Sequence, residues 1–256
     1  MLSNQTDNNI LIVNDLHVSY SQDSGSIFKP KTDVEVLKGV SFTIREGEVL
    51  GLVGESGCGK TTLCKALLGL NPRFTGEIIH RAEHPQMVFQ DPYSSLNPSK
   101  KVGWILEEPL RLNTKLDKES RRQKVLEMLK RVGLDEKIAE RYPRQLSGGQ
   151  RQRVCIAQSL MLGPKLLIAD EPVSALDVTI QAQIIDLLTR IQKEMGLAIL
   201  FISHDMRVVY QMSQWVMIMK DGEIVECGDV DEVYFSPKHP YTRDLLDAAD
   251  IDEKGD

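Results

Sequence analysis

Between positions 54 and 61 the chain reads Gly54-Glu55-Ser56-Gly57-Cys58-Gly59-Lys60-Thr61, three glycines ahead of a lysine and a hydroxyl. Glycine lets a backbone wrap closely round an anion with φ values that a side chain would forbid, so that successive N–H groups point inward. The spacing fits a phosphate-binding loop. In such a loop Lys60 would bridge the β and γ phosphates of a nucleoside triphosphate, the Thr61 hydroxyl would hold Mg²⁺, and Thr62 would support the magnesium side. A second reactive pair, Asp170-Glu171, follows the apolar run 166–169. Carboxylates at the C-terminal edge of a buried strand stand where parallel sheets bind ligands. Asp170 is suited to hold Mg²⁺ through its water, and Glu171 to polarise an attacking water. A third set, Leu146-Ser147-Gly148-Gly149-Gln150, opens a helical stretch over 151–162. It offers a second helix N-terminus to an anion, with Ser147 placed to cap the helix or donate to a phosphate.

The elements around these groups are legible from pattern. Residues 48–53 form a short apolar strand that runs into the glycine loop, and 62–70 read as a helix ended by Gly69 and Asn71-Pro72. Upstream, 10–13, 16–20 and 34–44 alternate as β-strands, with a polar connection over 21–32. Between 92 and 163 helix signals dominate, and 120–132 place Val125, Met128, Leu129 and Val132 on one face. The runs 166–169 and 198–202 have the continuous hydrophobicity of strands covered on both faces. Between them 179–195 carry Ile180, Ile184, Leu187, Leu188, Ile191 and Met195 on one helical face, closed by Gly196. Buried strands alternating with amphipathic helices imply a parallel sheet.

Composition sets outer limits. The chain has 256 residues, 41% hydrophobic and 27% charged, enough for one α/β domain and incompatible with global disorder. Its longest apolar runs span about six residues, whereas a membrane-crossing helix needs roughly twenty. The N-terminus lacks the basic start and apolar stretch of a secretory signal. Cys58, Cys64, Cys155 and Cys227 form no Cys-x-x-Cys pair and are expected to be reduced packing residues. A net charge of −6 argues against nucleic acid as the main partner. Residues 111–131 hold eight Lys or Arg against three acids, a pattern expected of a solvated helix face. Residues 244–256 hold six acids against one Lys and are expected to form a frayed tail.

Taken together, the motifs resemble the ATP-binding cassette (ABC) family. The glycine loop, Gln90 in Val88-Phe89-Gln90-Asp91-Pro92, the stretch 146–150, Asp170-Glu171, Ser174-Ala175-Leu176-Asp177 and His204 after a strand occur in that family's order. The resemblance covers about 11–246. It implies a P-loop NTPase (RecA-like) α/β fold, with a parallel-sheet core, an N-terminal antiparallel β subdomain and an inserted α-helical subdomain. The expected division is 1–90 with 164–231 as nucleotide-binding core, 91–163 as helical subdomain and 232–256 as C-terminal extension. The resemblance implies ATP and Mg²⁺ as cofactors. It also implies that Tyr20 stacks on adenine, that Gln90 reaches Mg²⁺ and the attacking water, and that Glu171 is the catalytic base. His204 would contact the γ-phosphate, Asp177 would link two subunits, and Ser147, Gly148, Gly149 and Gln150 would bind the ATP of an opposing subunit.

Two stretches, 89–98 and His239-Pro240-Tyr241-Thr242-Arg243, look like those of the ATPases of oligopeptide, dipeptide and nickel importers. This implies a second homologous ATPase, heterodimeric or homodimeric, two membrane-spanning permeases and an extracytoplasmic substrate-binding protein. The expected place is the cytoplasmic face of a bacterial membrane. The segment 76–90 is shorter than that subfamily's usual strand and helix, and a Cys-rich extension is lacking, so no iron–sulfur cluster is expected. The alternative role is a cassette component of a cytosolic complex such as carbon–phosphorus lyase. A nucleic-acid-handling cassette is disfavoured by the acidic total.

Overall fold

The computed structural model describes residues 8–22, 32–71, 73–174 and 176–249. In chain order its strands are β1 (Asn9–Gln22), β2 (Thr32–Arg45), β3 (Val49–Val53), β4 (Phe74–His80), β5 (Gln86–Val88), β6 (Leu166–Asp170), β7 (Ala198–Ile202), β8 (Trp215–Lys220) and β9 (Glu223–Asp229). Its helices are α1 (Lys60–Leu67), α2 (Pro92–Ser95), α3 (Val102–Asn113), α4 (Lys118–Arg131), α5 (Gly148–Leu160), α6 (Val178–Met195), α7 (Met206–Met212), α8 (Val230–Phe235) and α9 (Pro240–Ala248), with short 3₁₀ segments at Glu136–Glu140 and Pro143–Gln145. The chain forms two compact units, Met1–Ala82 with Ala198–Asp256, and Glu83–Leu197.

In the first unit β1 pairs antiparallel with β2 and β4. After Ile10 at its start, the buried side chains of β1 are Leu11 and Val13, then Leu16 and Val18. A period of two cannot keep both pairs on one face without an extra residue. The sequence reads as two fragments there, but the structure has one strand carrying a bulge at Asn14–Asp15, where Asp15 takes φ 47°. The partner strand makes the opposite adjustment: Leu37 is followed by Val40, Phe42 and Ile44, with Gly39 at φ 77°. Each strand inserts one residue against the other, so both return to register with their apolar sides facing the core. The bulge brings the Asp15 carbonyl onto β4 at Gly76, where a Cβ would lie 2.1 Å from that oxygen.

The parallel strands of this unit run β7-β3-β8, with β9 antiparallel at the edge. Every residue of β3 and β7 is buried, as their unbroken hydrophobicity predicts. Helix α1 starts two residues before the predicted position and ends at Leu67. Gly69 at φ 67° closes it, with Leu70 N–H donating to Lys65 O and Gly69 N–H to Ala66 O. That paired pattern satisfies carbonyls that the helix end would otherwise orphan.

In the second unit β5 and β6 are parallel, and α5 packs against β5, α2, α3 and α6. The predicted face of α4 is buried at Val125, Met128, Leu129 and Val132. The basic stretch 111–131 is partly spent on local pairs rather than on solvent: Arg121 of α4 donates to Glu107 of α3 at 2.7 Å, and Arg111 of α3 lies 4.5 Å over the Trp104 ring of the same helix. On α6 the buried side chains are Ile184, Ile185, Leu187, Leu188 and Ile191, while Ile180 and Met195 are only half-buried at the helix ends. The expected frayed tail is corrected over 244–248, which belong to α9, since Leu246 and Tyr241 on that helix are buried. Residues 250–256, and 23–31 of the expected polar connection, lie outside the described residues.

Gly76 sits at φ 94°, and a Cβ there would lie within 2.7 Å of three backbone atoms of Asn14 and Asp15. Replacing it by Ala is expected to cost about 2–4 kcal/mol, read as a lower urea midpoint at unchanged slope. An unchanged midpoint would show that the bulge can move aside.

Candidate functional site

In the first unit, β3 delivers the phosphate loop. Parallel pairing sets Leu52 beside Ile202, so the chain leaves β3 at Gly54 and leaves β7 at Ser203-His204 on the same C-terminal edge. Ser203 N–H donates to Leu52 O at 3.2 Å and fastens the two exits together. The loop needs its glycines for contact as well as conformation. A Cβ on Gly54 would lie 2.3 Å from Met219 O, and one on Gly59, at φ 114°, 2.9 Å from Leu37 Cδ2. Gly57 also takes positive φ, but a Cβ there would meet nothing within 4 Å.

Lys60 is the first residue of α1 and only 7% exposed. Its Nζ donates to Gly54 O at 2.6 Å and to Glu55 O at 2.9 Å. The ammonium is thus held inside the loop at the positive end of a helix, where an anion gains from both charges. Glu55, Ser56, Gly57 and Thr61 are exposed, Thr62 is half-buried and Cys58 is buried. Burial pushes the Cys58 thiol up, opposed in part by the Lys60 charge. His204 is exposed beside Asp205, whose carboxylate caps α7 through the Arg207 and Val208 amides. Tyr20, near the end of β1, is 40% exposed, and its hydroxyl accepts from the buried Asn71 amide at 3.2 Å.

The second unit repeats the logic. Val88 pairs with Ala169, so Gln90 and Glu171 each emerge two residues past the pair. Their side chains meet: Gln90 Nε2 donates to Glu171 Oε2 at 3.0 Å. Asp170 is 6% exposed at the strand end. Glu171 takes φ 46°, a left-handed conformation that costs a non-glycine residue about 1–3 kcal/mol and gathers at functional sites. The turn is held by Ser174, whose hydroxyl donates to Glu171 O at 3.2 Å.

Ser147 caps α5. Its hydroxyl accepts the Gln150 N–H at 3.3 Å while Gln150 Oε1 accepts the Ser147 N–H at 3.2 Å, a reciprocal capping box. Asp177 caps α6 through the Ile180 N–H at 3.0 Å. The two glycines of this helix mouth differ. A Cβ on Gly149 would run into Ile180 Cγ2 at 2.7 Å, whereas one on Gly148 would meet only Leu176 Cδ2, at an ordinary 3.8 Å. Packing among the described residues therefore explains Gly149, whereas at Gly148 it sets no such requirement.

The contacts of three further residues have no signal in the sequence pattern. Arg151, the fourth residue of α5, lies 3.9 Å over the Tyr93 ring and donates to Pro143 O. Cys155 Sγ lies 3.9 Å from Pro92 O, and burial pushes its thiol up to about 12, so it stays a donor. These contacts tie the segment after Gln90 to α5. The third is Tyr241, whose hydroxyl accepts the Glu55 N–H of the phosphate loop at 3.3 Å. Burial pushes its phenol up, offset in part by that N–H. The 239–243 segment was visible as a motif, but no local rule connects it to a loop 186 residues away.

A family profile described as ABC transporter matches residues 37–174. The chain is 47% identical over 249 residues to the dipeptide transport ATP-binding protein DppF of Escherichia coli (strain K12), covering 91% of this chain and 74% of that protein. It is 43% identical over 260 residues to the oligopeptide transport ATP-binding protein OppF of the same organism, covering 94% and 78%. Among solved structures, the dimeric post-hydrolysis state of the ATP-binding cassette MJ0796 bound to ADP and Pi superposes with a TM-score of 0.74 at 29% identity, over 86% of this chain and 98% of that one. For cbiO1 from Clostridium perfringens, part of the ABC transporter complex cbiONQ, the TM-score is 0.76 at 31% identity, over 90% and 92%.

The cap that Ser147 provides can be tested by itself. Ser147→Ala is expected to lower unfolding stability by about 1 kcal/mol, whereas Ser147→Asp keeps a capping oxygen and stays within about 0.5 kcal/mol of the parent. Equal stability of all three proteins would remove the cap.

Proposed function

As a member of the ABC transporter family, the chain is an ATP-binding cassette with ATPase activity, and we propose that it powers a bacterial importer of peptides. The observation that carries this reading is the Lys60 ammonium enclosed by the Gly54–Gly59 backbone at the mouth of α1, with the similarity to dipeptide and oligopeptide transport proteins giving the cargo class. Nickel or metal chelates are the secondary cargo. The relatives are transport proteins, which favours import over a role in a cytosolic complex.

In this reading residues 1–90 and 164–231 handle the nucleotide, 91–163 form the helical subdomain and 232–256 the C-terminal extension. Tyr20 stacks on the adenine, its exposed ring held in place through Asn71. The amides of 54–59 and the Lys60 ammonium surround the phosphates. Glu171, oriented by the Gln90 amide, takes a proton from the water that attacks the γ-phosphorus. His204, at the same sheet edge as the phosphate loop, contacts the γ-phosphate. The Thr61 hydroxyl, the Gln90 amide oxygen and the Asp170 carboxylate are hard oxygen donors, a set that fits Mg²⁺. Held by these oxygens, that ion would supply charge neutralisation to the triphosphate.

The opposing cassette supplies the rest. Ser147, Gly148, Gly149 and Gln150 approach its ATP from the mouth of α5. Asp177 helps to join the pair. The second cassette is a homologous ATPase in a heterodimer, seated with this chain beneath two permeases and served by an extracytoplasmic binding protein. No helix among the described residues is long and apolar enough to cross a membrane. In this reading attachment at the cytoplasmic face comes through the permeases.

Glu171→Gln is expected to reduce ATP turnover by about 10²–10⁴-fold while ATP still binds; turnover at the parent rate removes the base assignment. Ser147→Asp sets a carboxylate against the incoming triphosphate and is expected to abolish ATP-driven pairing seen by light scattering. Cells deprived of this chain should lose uptake of labelled dipeptide. Retained peptide uptake with lost nickel uptake would transfer the assignment to metal import.

A further inference from the structure

We infer that Tyr241 is a positioning residue of the phosphate loop: its hydroxyl and the Lys60 ammonium grip opposite ends of one peptide plane, so that α9 sets where the Lys60 charge sits. The inference rests on the proposed nucleotide-binding role of that loop. Tyr241 lies outside the stretch matched by the family profile, 37–174, and none of the catalytic assignments uses it.

The argument is geometric. In a trans peptide the C=O and N–H of one plane point in opposite directions. For the plane joining Gly54 to Glu55, the Gly54 carbonyl accepts from Lys60 Nζ at 2.6 Å, and the Glu55 N–H at the other end donates to the Tyr241 hydroxyl at 3.3 Å. Rotation of this plane is the motion that would swing Gly54 O away from the ammonium, and Tyr241 resists it. The next carbonyl, Glu55 O, also accepts from Nζ at 2.9 Å, so the same rotation would disturb both anchors of the lysine.

Tyr241 is itself fixed. Its side chain is 5% exposed, with Lys220 Nζ 4.5 Å above the ring. Its amide donates to His239 Nδ1 at 3.2 Å, the cap of α9. The turn before the helix is held to β9 by Glu226, whose two carboxylate oxygens accept the Lys238 N–H at 2.8 Å and the His239 N–H at 3.1 Å. Burial works against that carboxylate, but its polar surroundings, the two amides among them, hold Glu226 below the usual range. An unbroken series of contacts thus runs from β9 through the 238–241 turn to the phosphate loop, all within one compact unit.

Tyr241→Phe removes the accepting oxygen and keeps the ring. In a titration of the purified chain with a fluorescent ATP analogue, the dissociation constant is expected to rise about fivefold, the effect of one net hydrogen bond. In the steady state KM for ATP rises by a similar factor with kcat within about twofold, because the Lys60 contact serves substrate and transition state alike. The melting temperature stays within about 2 °C. Affinity unchanged in the variant, with the parent binding ATP normally, overturns the inference alone. A parent that binds no ATP overturns the proposed function and this inference with it. If the variant also loses stability, amide exchange decides: faster exchange confined to 54–60 supports the positioning role, and faster exchange throughout the core overturns it.

Discussion

Parallel pairing of buried strands is the constraint on which the candidate site depends. A residue that pairs in register with another commits both chains to leave the sheet at one edge, and here the pairs Leu52–Ile202 and Val88–Ala169 do this in the two units. The glycine loop and His204 leave together in one, Gln90 and Glu171 in the other. Leu52, Ile202, Val88 and Ala169 are all buried, so separating either pair would return apolar surface to water. The polar groups beyond the last pair can then be held in costly conformations, such as the left-handed Glu171, since the sheet beneath them does not yield.

The same groups serve local structure and the proposed chemistry together. Ser147 and Asp177, assigned to an opposing subunit's nucleotide and to the subunit joint, are the caps of α5 and α6. Asp205 caps α7 next to His204, and Asp91 caps α2 next to Gln90 by accepting the Tyr93 N–H at 2.8 Å. The Tyr93 N–H, helped by the Ser94 side chain, holds the Asp91 carboxyl below its ordinary range. A cap fixes where a helix begins, and a helix beginning fixes where its partial positive charge points. Stability and anion recognition are therefore linked at these positions.

Both compact units also bring distant segments onto their loops. In the second, Arg151 on Tyr93 and Cys155 on Pro92 hold the turn after Gln90 against α5, the helix that Ser147 starts. A displacement of α5 would thus be felt at Gln90 through packed side chains. In the first, the 238–241 turn plays the corresponding part for the glycine loop. Each loop is braced from the side by an element that arrives later in the chain.

The sequence by itself determined what depends on neighbours a few residues apart: the glycine loop ahead of a helix, the continuous apolar strands, the buried faces of α4 and α6, and the Ser147–Gln150 helix mouth. Those features follow from φ freedom, side-chain periodicity and capping, all of which act over one or two turns. Gly69 and Gly196 were legible as helix ends for the same reason. Tertiary structure alone decided the paired bulges at Asp15 and Gly39, the folding of residues 244–248 into α9, the contact of Gln90 with Glu171 across 81 residues and that of Tyr241 with Glu55 across 186. A bulge shows only as a change in the parity of apolar positions, which reads equally well as a break between strands. A contact between remote segments is set by the packing of every element in between, and no spacing within either segment encodes it.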